Sequence, residues 1–116
     1  MSTRASVKFR DKNASVRVYH HADGYPEHME AELDAFFAYC EGHLTWDNRF
    51  DDAEYLAARY VYWLTTAGFY LGVPWDGYSV GIQERLHGDE SYGYVVHCMG
   101  TGRPLVDVIE LEKEAK

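Results

Sequence analysis

The chain has 116 residues, 47% hydrophobic and 16% aromatic, with 19 Asp and Glu against 11 Lys and Arg and a formal net charge of −8 at pH 7. That length suits one domain with a core that needs no disulfide or metal staple, and the aromatic content excludes a disordered acidic tail. The charge disfavours direct nucleic-acid binding, which is led by Lys and Arg neutralising phosphates. Apolar runs long enough for a membrane span are absent, and "MSTRASVKFR" alternates where a signal peptide needs a continuous apolar stretch, so a soluble intracellular protein without membrane contact is expected.

"ASVKFR" and "SVRVYH" alternate apolar and polar residues around the turn-forming "DKNA", which predicts a β-hairpin. The period then changes. Met29, Leu33, Phe36, Phe37, Cys40 and Leu44 recur at spacings of three and four, predicting an amphipathic helix from Pro26 to His43. Pro26 suits the first helical turn, Glu27 and Glu30 suit the positive end of its dipole, and Gly24 is expected to supply a positive φ in the turn before it. After "TWDNRFDD", Asp51 or Asp52 can cap a second helix with a core stripe of Leu56, Tyr60, Trp63, Leu64 and Ala67 and a stop at Gly68.

"FYLGVPWDGY" reads as a loop, "SVGIQERL" and "YGYVVHC" as strands joined in a hairpin at "HGDES", and "LVDVIEL" as a last strand before the charged tail "EKEAK". The order ββααβββ predicts one α+β domain over residues 1–116, with a mainly antiparallel sheet packed against two helices. Cys40 and Cys98 lie far apart without a CxxC pairing and are expected to be buried, reduced thiols.

His20, Asp23, His28 and Glu32 form a conceivable metal set, although His20 and His21 are adjacent in a strand and point to opposite faces. His21, Asp23 and His28 form the corresponding corner for a metal-assisted hydrolase. A third arrangement is a small-ligand or nucleotide pocket between sheet and helices, lined by Tyr60, Trp63, Trp75, Tyr92 and Tyr94. A GxSxG motif, a P-loop and a base beside either cysteine are all missing, so a non-enzyme without a cofactor is expected.

Charge is distributed unevenly: residues 1–22 carry a net +4, residues 23–54 a net −9 and the rest −3. Glu27, Glu30, Asp34, Glu41, Asp47, Asp51 and Asp52 therefore form a candidate acidic surface, with Trp46, Phe50, Tyr55 and Tyr62 as exposed aromatic anchors.

The opening "MSTRA" and the turn at Tyr19, His21, Asp23, Gly24, Tyr25, Pro26 and Glu27 resemble a group of small bacteriophage and mobile-element proteins with a YxHxDGYPE turn. A weaker echo lies near Tyr55 to Tyr60, and Ala22 stands where the group usually has tryptophan. The resemblance implies a phage origin and a place in the bacterial host cytoplasm. By analogy with small acidic phage proteins, it suggests an anti-CRISPR or other anti-defence inhibitor. The expected partner is a host protein or ribonucleoprotein complex, whose basic groove the acidic residues would occupy in place of nucleic acid.

Overall fold

The computed structural model describes residues 3–21, 23–43, 50–70, 80–100 and 102–111, with the side chains of residues 43 and 67–70 left out. In chain order the elements are β1 (Ala5–Arg10), β2 (Ser15–His20), α1 (Pro26–His43), α2 (Ala53–Tyr70), β3 (Val80–Gln83), β4 (Tyr92–His97) and β5 (Leu105–Glu110). The expected ββααβββ order is the observed one. Helix α2 runs past Gly68 to Tyr70, so Gly68 is not its stop; one helical glycine costs only about 1 kcal/mol relative to alanine.

Alternation in β1 sends Ala5, Val7 and Phe9 into the core and Ser6, Lys8 and Arg10 to the opposite face. Both helices turn the described part of their predicted stripes to the first face, with Trp63 only half-buried; Leu44 and the Ala67 side chain lie outside the described residues. Met29, Leu33, Phe36, Phe37 and Cys40 of α1 meet Leu56, Tyr60 and Leu64 of α2, while Ala53 and Ala57 are also buried. The Tyr60 ring lies 5.3 Å from that of Phe9 and 5.2 Å from that of Phe36, joining sheet to helices. Each large apolar side chain buried in this way contributes about 1.5–3 kcal/mol. Cys40 and Cys98 are free and buried, and burial raises their thiols to about 11 and about 12 respectively.

Local polar bonds fix the corners. Asp11 Oδ1 accepts from the N–H groups of Asn13 and Ala14 at 2.7 Å each, closing the β1–β2 turn. Its Oδ2 accepts from Ala53 N–H at 2.8 Å, so a hairpin carboxylate also caps α2. Asp52 caps the same helix through Tyr55 N–H at 3.1 Å, as expected. In the turn before α1 the positive φ belongs to Asp23, at 58°, and not to Gly24. Gly24 is needed for closeness instead: a Cβ there would lie 2.6 Å from Ala5 Cβ and 2.9 Å from Thr3 O.

The sheet order is β3-β2-β1-β4-β5, antiparallel at every pairing except β1–β4, which is parallel. "HGDES" is therefore not a hairpin. Strands β3 and β4 run in the same direction with β2 and β1 between them, and such strands require a crossover. Gln83 ends β3 level with Arg17 and Lys8, whereas Tyr92 begins β4 level with Ala5. Residues 84–91 must thus travel back along the sheet while crossing two strands, and they do so over the face opposite the helices.

Candidate metal centre

The crossover gathers chemistry because its path is forced. Gly88, at φ 97°, makes the sharp bend that only glycine adopts freely, and it turns His87, Asp89 and Glu90 toward one another. One ligand atom from each lies within 4.8 Å of the other two, and among the described residues this is the group of three or more metal-type ligands that meets that distance. His87 is exposed, Asp89 half-buried and Glu90 buried.

Glu90 is held from several sides. Its Oε2 accepts from Gln83 Nε2 at 3.1 Å and from His87 N–H at 2.9 Å, and its Oε1 accepts from Gly88 N–H at 3.0 Å. Burial pushes its carboxyl upward, but the bonds from His87, Gln83 and Gly88 together outweigh that and leave it below the ordinary value. An ionised carboxylate thus sits almost fully out of water. Asp89 shares its Oδ2 with the Arg4 guanidinium, while its Oδ1 is buried without a hydrogen-bond donor among the described residues. Gln83, 6% exposed, donates its amide nitrogen to Glu90 and Arg85 O, and its Oε1 is likewise buried without a donor among the described residues. Buried acceptors without donors are costly, and a cation is one species that satisfies them.

The wall of this centre comes from β2. The Tyr19 ring lies 4.6 Å from the His87 ring, and its hydroxyl is 2.9 Å from His21 Nδ1. Burial, followed by the charge of Asp89, raises the Tyr19 phenol above its ordinary value. A hydroxyl–imidazole pair therefore stands next to the ligand group.

The sequence-based metal set is only partly brought together. His20 and His21 do face opposite sides of the sheet. His20 and His28 approach Glu32 Oε2 at 3.9 and 3.7 Å, whereas Asp23 stands exposed at the corner. The His20 nitrogen nearest Glu32 is already bonded to the Tyr60 hydroxyl at 2.8 Å, and Tyr60 also bonds Glu32. His20, Tyr60 and Glu32 thus form a buried network, and among the described residues the set of His20, Asp23, His28 and Glu32 does not bring three ligand atoms as close together as His87, Asp89 and Glu90 do. Burial, with a smaller contribution from His28, pushes His20 down to about 4, so it is neutral at pH 7. The corner of His21, Asp23 and His28 is not assembled, because His21 turns to Tyr19 while His28 packs on Tyr25 and Glu32. Nor do Tyr60 and Tyr94 line an open pocket: both are fully buried, and Tyr94 donates to Gly24 O at 2.6 Å. Trp75 lies outside the described residues.

On the acidic side, Glu27, Glu30 and Asp51 are exposed, and Tyr55 and Tyr62 are 53% and 61% exposed. Arg103 donates to Asp34 at 2.6 Å and to Glu41 at 2.7 Å, tying two of the seven carboxylates to the strand side of the molecule. Phe50, expected as an exposed anchor, is 2% exposed because its ring packs edge-on against Phe37. Trp46 and Asp47 lie outside the described residues. A groove of about 300 Å³ runs between α1 and β5, with Glu30 and Asp34 on its rim and Phe37 and Val106 in its lining.

The sequence reading missed His87, Asp89 and Glu90. The available signal was "HGDE" itself, three metal-type side chains around a glycine, which was spent on a turn. Neither a protein-family model, nor a curated protein, nor a solved structure matches this chain. No helix among the described residues is long and apolar enough to cross a membrane.

Proposed function

We propose that this chain is a divalent-metal-binding protein whose ligands are His87, Asp89 and Glu90. The observation that carries the reading is the pair of donorless buried oxygens, Asp89 Oδ1 and Gln83 Oε1, beside an ionised buried Glu90 and an imidazole. One nitrogen and several carboxylate oxygens suit a borderline first-row ion such as zinc or manganese better than a softer ion, which prefers thiolate. Three protein ligands leave positions for water, the arrangement that lets a metal generate hydroxide near neutral pH. The Tyr19–His21 pair would stand where such a water could be oriented. This supports metal-assisted hydrolysis as the accompanying chemistry.

Inhibition through the acidic surface is the weaker proposal. A mimic of nucleic acid needs its carboxylates free, whereas Asp34 and Glu41 are engaged by Arg103 and Asp52 caps a helix. Equilibrium dialysis of the chelator-treated chain against zinc and manganese tests the metal reading. One equivalent should bind to the natural chain, and binding should fall at least tenfold in a His87→Ala, Asp89→Asn variant. Equal retention by both chains would remove the reading.

A further inference from the structure

The sheet face opposite the helices carries a feature that the metal reading does not use. Arg4, just before β1, and Ser6, Lys8 and Arg10 within it follow one another at two-residue intervals on this face. Lys8 pairs directly with Arg17 on β2, and Arg17 pairs in turn with Gln83, the residue that holds Glu90. Like charges directly opposite in a sheet repel and destabilise it. Among the described residues Arg4 is paired with Asp89, but Lys8 and Arg17 have no carboxylate within ion-pair distance.

Nearby carboxylates are spoken for. Asp107 lies two strands from Lys8 in the same cross-strand row, yet it accepts from His97 Nε2 at 2.8 Å. His97 Nδ1 in turn accepts from Arg10 Nη1 at 2.9 Å, which fixes the Arg10 guanidinium at that end of the strip. Glu90 accepts from the N–H groups of Gln83, His87 and Gly88, and Asp89 gives one oxygen to Arg4. The cations Lys8 and Arg17 are half-buried, so their stems are already packed and little side-chain freedom remains to be lost on binding.

We infer that this face binds a small phosphate-bearing molecule, with its phosphate between Lys8 and Arg17 and Arg10 at the far end. Phosphate is the natural complement because it accepts several charge-assisted bonds at once from a lysine and a guanidinium. The strip is short and bounded by acids, Asp89 and Glu90 at one end and Asp107 at the other. With a net charge of −8, that favours one or two phosphates over a polynucleotide. The inference does not depend on the metal reading, since Lys8 and Arg17 require no metal to bind an anion.

The test is a titration of the metal-free chain with inorganic pyrophosphate, followed by amide and side-chain NMR and by calorimetry. Shifts should concentrate on β1 and β2 around Lys8 and Arg17, and the affinity should fall as salt rises. Lys8→Gln and Arg17→Gln should each weaken binding about tenfold or more. Each should also melt no lower than the natural chain, because the like-charge pair is relieved. Absence of shifts at millimolar pyrophosphate would overturn the inference, as would unchanged affinity in both variants or a lower melting temperature in both. Tighter binding of a single-stranded oligonucleotide than of pyrophosphate would overturn the small-ligand assignment. Success here alongside failed metal dialysis would separate the two readings.

Discussion

Acidification should destabilise the fold through His20 well before the carboxylates titrate. His20 is 4% exposed, its Nε2 is bonded to the Tyr60 hydroxyl, and its value falls from 6.5 to about 4 in the fold. The unfolded chain takes up a proton at His20 near pH 6.5 and the folded chain does not, so this stability is complete above that pH and is lost as pH falls toward 4. At about 1.4 kcal/mol per unit the full loss is about 3.5 kcal/mol, of which roughly 2.4 kcal/mol falls between pH 7 and pH 4.5. The assay is urea unfolding at half-unit pH steps for the natural chain and for His20→Gln, which keeps a polar side chain without a titration. The difference between the two slopes isolates His20. If the two curves run parallel from pH 7 to 4.5, the buried neutral imidazole is refuted.

Three further outcomes follow from the packing. Tyr60→Phe removes the hydroxyl that serves both His20 and Glu32, so urea unfolding should show a loss of roughly 1–3 kcal/mol, with α-helical circular dichroism retained. Asp11→Ala should cost about 1 kcal/mol for its lost cap on α2. Bonds from Ala53, Asn13 and Ala14 hold the Asp11 carboxyl below 3.8, so the natural chain should lose part of this advantage as pH falls below about 4 while the variant does not. Gly24→Ala forces a Cβ to within 2.6 Å of Ala5 Cβ and displaces the carbonyl that accepts from Tyr94. Thermal unfolding should report a loss of roughly 1–3 kcal/mol, and a variant as stable as the natural chain would show that the corner is not tightly packed.

Periodicity made the elements legible. The alternation in β1 and β2 and the stripe from Met29 to Cys40 are local patterns, and each is buried as its spacing predicts. Spacing also carried part of the polar arrangement: His20 lies on the helix side, and His28 and Glu32 are one helical turn apart, so the three converge. Pairing was not legible. Nothing local in "VGIQ" or "YGYVVH" says that β3 joins β2 and β4 joins β1, and the Gly-Asp signal between them fits a hairpin equally well. The candidate centre was hidden for the same reason. His87, Asp89 and Glu90 look like turn residues until the crossover lays them on Tyr19, Gln83 and Arg4, which lie 68, 7 and 85 positions from their respective partners His87, Glu90 and Asp89.

The most direct test of the metal centre is the His87 imidazole itself. In NMR spectra of the isotope-labelled chain titrated with zinc, the ring resonances of His87 should shift and saturate at one equivalent. The backbone amides of residues 87–90 should move with them, while His20, behind the sheet, stays in place. Saturation of the chain with zinc while the His87 ring remains unmoved would contradict the account.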